Sequence, residues 1–525
     1  MKKILQNCFL LALSLSAQTI LAQPVRYFDE VFAGVSKQSN VQYGANFYFT
    51  PPITTNPADP QQGPLVMDIY SATGDAQTSR PLVIYLHTGN FLPKYFNGGI
   101  GGAKDDSSNV EICRRLAKRG FVAASIAYRL GWNPLSTDPD VRRGTLLNAV
   151  YRAIHDAQTA VRFFKKSVAE DGNPYGVDPN KIVLMGQGSG GYVSLAYVTL
   201  DRIEEIQIEK FVDVNQQSYI NTALVGNVDG TGGAVNTYNH PGYTNAVSMS
   251  INLGGALGDS SWMEAGEAPI VSFHCPDDGF APFENGIVIV PTTAESVVPV
   301  SGSKVAVRRA NQLGNQDVLR NTPFNDGYSV AANARLASNH PKLGVNPDNF
   351  EGLYPFIRPT IAFPFQETAP WEFWDSTTVV TQASAFQLNG AEIHGNAIAG
   401  NPDMSRAKAY RFIDTIIGYS SPRMIRVLEL PGFETIGFSD VTSRSADVSI
   451  YPNPSTGDVY IRSGNNAGSI TAVRLFDITG RMVYNRAIAP ASSVTLDRNA
   501  LIKGVYLLET TTAKGGNAVT KLILE

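Results

Sequence analysis

From Ile182 the chain reads Ile-Val-Leu-Met-Gly-Gln-Gly-Ser-Gly-Gly-Tyr192, then passes into the apolar run Val193 to Leu200. Four of the six residues from 186 to 191 are glycine. A β-rich segment that ends in glycines and restarts at once as a helical pattern demands a very sharp strand-to-helix turn. Such a turn lifts one side chain above a sheet and crowds everything around it, so its neighbours must be small. The constraint reaches the whole chain, because only a sheet with crossover helices offers a strand and a helix placed this way.

The flanking sequence agrees. Leu65-Val-Met-Asp-Ile-Tyr70 reads as a strand, and Pro81-Leu-Val-Ile-Tyr-Leu-His87 as a strand buried on both faces. The residues before them, Val25 to Pro64, suit short strands at a sheet edge. Val110, Cys113, Leu116 and Ala117 share one face of a helix predicted over 107–119. Gly120 ends it, and a strand follows over 121–127. Between Thr145 and Val168, Val150, Ile154, Ala157, Val161 and Phe164 recur at helical steps and lead back to the glycine turn. This alternation predicts an α/β domain with a mostly parallel sheet and helices on both faces. Residues 201–247 interrupt the pattern and predict an insertion over the sheet edge or the site. Strands resume at Ala246–Leu253 and Pro269–His274, and a last helix is predicted over about 405–419.

At 525 residues the chain is long enough for more than one domain. Lys2 and Lys3, a short apolar run and small residues up to Ala22 predict an export signal over 1–22, too short and too early for a secure membrane anchor. No other long apolar stretch predicts a transmembrane span. The formal net charge of -4 argues against nucleic acid as main partner. Beyond Cys8 there are two cysteines, Cys113 and Cys275, which could pair after export or stay as buried thiols. The first domain is expected over 23–430 and a linker over 431–446. From 447 to 525 short strands separated by turn signals predict a small all-β sandwich.

Two resemblances rest on particular residues. Tyr451-Pro-Asn-Pro-Ser-Thr-Gly457, Leu475-Phe-Asp-Ile-Thr-Gly-Arg481, Gly504-Val-Tyr-Leu-Leu508 and Lys521-Leu-Ile-Leu524 resemble the type A C-terminal sorting domain of type IX secretion cargo. The resemblance implies the type IX secretion machinery as partner and a secreted or surface location. Asp68-Ile-Tyr70, His87-Thr-Gly-Asn-Phe91, Tyr128-Arg-Leu-Gly131, the glycine turn and His274-Cys-Pro-Asp-Asp-Gly-Phe-Ala-Pro282 resemble, in order, an α/β-hydrolase of the carboxylesterase and feruloyl-esterase (BD-FAE-like) type. That implies a nucleophile elbow at the turn, no cofactor and no metal.

Such an esterase needs a serine, a histidine that takes its proton, a carboxylate that orients the histidine, and N–H donors for the oxyanion. Aligned on the resemblance, the nucleophile position falls on Gly188, and Leu353 stands at the expected base position in Glu351-Gly-Leu353. The triad therefore reads as degenerate. The alternative set is Ser189 as nucleophile, Asp278 as acid (Asp277 adjoining it) and His394 as base, with His340 a weaker base and Gly89 and Gly190 at the oxyanion hole. Two functions stay open. One is an active esterase on acylated polysaccharide or a similar ester. The other is a non-catalytic surface protein binding a glycan, peptide or partner, with Trp371, Phe373 and Trp374 as candidate lining.

Overall fold

The structure is a computed structural model that describes residues 24–49, 59–290, 295–358, 367–431, 448–464, 468–477, 482–498, 501–513 and 517–525. The expected export signal and nearly all of the expected linker lie outside these residues. The chain divides into two compact units, Met1–Gly437 and Phe438–Glu525.

The first unit is built on an eight-stranded sheet. Its strands are β1 (Val35–Tyr48), β2 (Gln61–Ala72), β3 (Arg80–Leu86), β4 (Val122–Ile126), β5 (Val177–Gln187), β6 (Met249–Leu253), β7 (Ile270–His274) and β10 (Leu353–Pro355), in the spatial order β1-β2-β4-β3-β5-β6-β7-β10. A hairpin of β8 (Asn285–Ile289) and β9 (Ser296–Ser301) stands apart from it. The pairs β1–β2 and β2–β4 are antiparallel, and from β4 to β10 every pair is parallel. Where several short edge strands were expected, β1 is one long strand. Register shifts between Gln38 and Val41 and between Gln42 and Gly44 let it follow the twist of β2.

Every residue of β3 is buried, as a strand covered on both faces requires. Leu82, Ile84 and Leu86 join one core cluster with Ile154, Val161 and Phe164. Those three come from helix α2 (Pro139–Ala169), which packs on that face beside α3 (Ser189–Tyr197). The intervening Val83 and Tyr85 point to the other face, by strand alternation. There α1 (Ser107–Lys118) lies over β2 and β4 and against the closing helix. α2 begins a turn and a half before its apolar pattern, because Asp138 caps it through the Asp140 amide and Pro139 suits the first helical position.

The polar insertion 201–247 wraps α2 and the β1 edge. Asn148, His155, Gln158 and Arg162 of α2 bond backbone carbonyls of Tyr219, Asn227, Val228 and Asn239, and Asn239 bonds both backbone groups of Ala45. After β7 come α4 (Ser303–Gln312), α5 (Asp317–Arg320) and α6 (Gly327–Leu336), then, past β10, a cap of α7 (Ser376–Ser384) and α8 (Gly390–Gly400), and the closing helix α9 (Arg406–Val427). The last runs eight residues beyond the predicted end, straight through Pro422. Beside the proline, the Arg423 guanidinium supplies a bond to the Tyr419 carbonyl and pairs with Glu351.

The second unit has a three-stranded sheet, β11 (Val448–Tyr451), β12 (Val459–Ser463) and β15 (Ser493–Leu496), and a four-stranded antiparallel sheet of β14 (Met482–Ala491), β13 (Ile470–Asp477), β16 (Gly504–Thr512) and β17 (Asn517–Leu524). Val459, Ile461, Leu475, Leu508, Leu522 and their neighbours form one small core. Strands β14 and β15 escaped prediction. The side chains of β14 are exposed or only half buried, so its sequence carries no strong alternation.

Candidate active site

The glycine turn sits at the carboxyl end of β5, near the middle of the sheet, where open α/β sheets carry their sites. Gly188 is its tip, with φ 52° and ψ -115°, and α3 starts at Ser189. The Gly188 amide donates to the Leu253 carbonyl, and the Gly188 carbonyl accepts from Gly191 and Tyr192. Gly186 and Gly190 are glycine for shape, because an added Cβ would strike the backbone of Gly190 and of Leu86 respectively. Gly188 differs. A Cβ there would meet no backbone closer than 3.8 Å. It would instead fall less than 3.0 Å from Oγ1 of Thr88 and 3.1 Å from Thr88 Cβ. Thr88, which follows β3, therefore fills the space in which a side chain on the turn tip would stand.

Ser189 lies one place into the helix and is 5% exposed. Its hydroxyl is 3.0 Å from that of Tyr128, which in turn donates to the His87 carbonyl at 2.6 Å. The tyrosine proton is thus committed, and Ser189 donates to the tyrosine oxygen. The His87 ring stacks on Tyr128 at 4.4 Å and donates from Nδ1 to its neighbour's carbonyl, Thr88 O, at 2.6 Å. Burial lowers the His87 pKa, so the ring is neutral at physiological pH.

The other members of the alternative triad lie apart. Both Asp278 and its neighbour organise loops. Asp278 Oδ1 accepts from the Phe280 and Ala281 amides, and Oδ2 is 3.4 Å from Nε2 of the fully buried His274, whose Nδ1 meets the Ser303 hydroxyl at 2.7 Å. Asp277 forms a surface pair with His340 at 2.9 Å and Lys342 at 3.3 Å. His394 is on the cap helix α8, half-exposed, rather than in a loop. Among the described residues no hydrogen bond joins it to Ser189 or Asp278. Leu353 is the first residue of β10, paired with Ser272, and fully buried. Gly89 takes φ 122° and is packed against Gly102, where a Cβ would strike the Gly102 backbone. Gly190 is the second residue of α3.

A polar cluster that sequence reasoning missed adjoins the turn through Gln187. Gln187, 2% exposed at the end of β5, accepts from the Tyr85 hydroxyl at 3.1 Å and donates to the Glu372 carboxyl. Burial first, and then the neighbouring charge of Asp106, pushes the Glu372 pKa up to about 8, against the opposing Gln187 bond. The carboxyl is therefore mostly protonated at neutral pH. Asp106 accepts from the Gly102 and Ala103 amides and pairs with Lys94 at 3.0 Å, and the Lys94 ammonium lies 3.9 Å from the Trp374 ring centroid. Trp371 is 1% exposed and packs on Phe356, while Phe373 meets Tyr410. The segment carrying Trp371, Glu372 and Trp374 is thus fastened down over the turn. The signal was a lone carboxylate inside the aromatic run Trp371-Glu-Phe-Trp374, legible only with its partner Gln187 in place.

Cys113 and Cys275 are both free and buried. Among the described residues no group of three His, Cys, Asp or Glu side chains could hold a metal ion, and no helix is long and apolar enough to cross a membrane.

Residues 67–305 match the BD-FAE family, and residues 449–525 match the secretion system C-terminal sorting domain. Among curated proteins none matches the chain. Similar solved structures include Thermogutta terrifontis esterase 2 phosphorylated by paraoxon, at 18% identity over 48% of this chain and 74% of that one, TM-score 0.27. The butyrate-bound Est2 of the same organism matches at 19% identity over 42% and 70%, TM-score 0.27. Its native form matches at 19% over 42% and 69%, TM-score 0.26.

Proposed function

Because the chain joins an esterase-type BD-FAE domain to a secretion-system C-terminal sorting domain, we propose that it is an exported α/β-hydrolase-fold protein that has given up ester hydrolysis. The sorting domain marks it for type IX secretion to the cell surface or outside. An export signal at 1–22 would supply the first membrane passage on this route.

One observation carries the non-catalytic reading. The turn tip is a glycine, and the Thr88 side chain fills the space of the missing one. Supporting it, the Ser189 hydroxyl is held by Tyr128, and neither Asp278 nor His394 reaches it. A serine without a base is a poor nucleophile at neutral pH, since activation comes from the adjacent imidazole.

The test is to expose the purified chain to a fluorophosphonate probe and to a short-chain nitrophenyl ester. No labelling and no turnover above background are expected. Labelling at Ser189, or turnover abolished by Ser189→Ala, would replace this reading with the active-esterase one.

A further inference from the structure

A second concave site lies at the opposite edge of the sheet. The glycine turn follows the carboxyl end of β5, whereas Val345 to Phe350 lead into the amino end of β10, in the same parallel array. Between that segment and helices α4 and α5 is a cavity of about 580 Å³, within the roughly 300–1,000 Å³ range of small-molecule sites.

Its chemistry is one-sided. Arg308 from α4 and Arg320 from α5 line it, with the amide side chains of Asn311, Gln312, Asn346 and Asn349, and no carboxylate is among its lining residues. Arg320 has an exposed partner in Asp317 at 3.5 Å, and Arg308 has none among the described residues. The floor is apolar at Phe350, which is 5% exposed.

The site is also built rather than incidental. Asn311 is 95% buried by its 5% exposure. Its Nδ2 is fixed by the Val307 and Glu351 carbonyls at 2.8 and 3.0 Å, which leaves Oδ1 without a donor. Gln316 clamps the same corner, exchanging bonds with both backbone groups of Ile270 and donating to the Glu351 carbonyl. Helices α4 and α5 are thereby tied to β7 and to the approach of β10.

We propose that this cavity binds an acidic sugar, the uronate unit of a glycan. Two guanidiniums without a lining carboxylate favour a carboxylate ligand, and guanidinium forks match that group's geometry. The amides of Gln312, Asn346 and Asn349 suit hydroxyls, which a simple inorganic anion lacks. Phe350 and Val345 offer an apolar surface to the C–H face of a pyranose. The inference does not depend on whether the glycine turn is catalytic, because the two sites share no residue.

The experiment is calorimetric titration of the full chain with digalacturonate, with its neutral digalactose counterpart, and with inorganic phosphate. Saturable binding of digalacturonate is expected, with the neutral disaccharide and phosphate each at least about tenfold weaker, a difference of about 1.4 kcal/mol. Arg308→Ala and Arg320→Ala, both exposed and therefore tolerated by the fold, should each weaken digalacturonate by about tenfold or more. Gln312→Leu should weaken both sugars alike. Equal affinity for the neutral sugar, preference for phosphate, no saturable binding, or indifference to both arginine variants would each overturn the proposal.

Discussion

The hydroxyl of Thr88 occupies the volume that a Cβ on Gly188 would need, although the two residues follow different strands of the sheet. Their fit is mutual, so neither can be changed without regard to the other. Gly188→Ser should therefore destabilise the protein by about 1–3 kcal/mol through overpacking. Thr88→Gly combined with Gly188→Ser should recover part of that loss, seen as a higher thermal midpoint than Gly188→Ser alone. A double variant that melts no higher would mean the clash is not the cause.

Tyr128 is the structural partner of Ser189, and the two should differ in consequence. Tyr128→Phe removes the donor to the buried His87 carbonyl and the acceptor for Ser189, for about 1–3 kcal/mol. Ser189→Ala removes only the serine's own bond, about 1 kcal/mol. Denaturant unfolding distinguishes them, and Ser189→Ala should leave any background ester hydrolysis unchanged.

Glu372 gives stability a pH dependence of definite sign. Its pKa rises from an ordinary 4.5 to about 8 on folding, so between those values the folded chain binds more protons than the unfolded one. This group's contribution is complete below pH 4.5 and declines as pH rises through about 8. Glu372→Gln keeps a neutral amide in place of the carboxylic acid. The difference in melting temperature between variant and parent should move in the variant's favour from pH 5 to pH 9. A constant difference across that range would contradict the assignment.

Two ion pairs allow a contrast. Arg129 and Asp156 are both essentially unexposed, joined at 2.9 Å, with the Asp156 carboxylate also accepting from the Arg129 amide. Asp156→Ala strands a buried guanidinium and should cost about 3–5 kcal/mol. Asp277→Ala breaks the surface pair with His340 and should cost about 0–1 kcal/mol. Urea midpoints of the two variants would test both values.

The fold was largely legible because its strands are buried on both faces and its helices carry one apolar face. The all-buried strand at Arg80–Leu86 and the Ile154–Phe164 stripe state their environments directly. Pro422 misled, since a proline usually ends a helix and this one lies inside α9. The glycine at the turn tip could be read from the resemblance, but its cause could not. Thr88 is a hundred residues away, and nothing in either local sequence says that they touch. The same holds for Gln187 and Glu372, whose bond joins the end of a strand to an irregular segment 185 residues later. His394 looked like a loop residue because Gly395 and Gly400 disguise the helix that carries it.

The packing at the turn also bears on how such a chain can change over time. A single substitution that puts serine at 188 meets Thr88, and one that truncates Thr88 alone opens a void beside the turn. Lifting Glu372 away would expose Gln187 without providing an imidazole. A serine arriving at 188 would need a second change at Thr88 before it had room, so the two positions are expected to vary together.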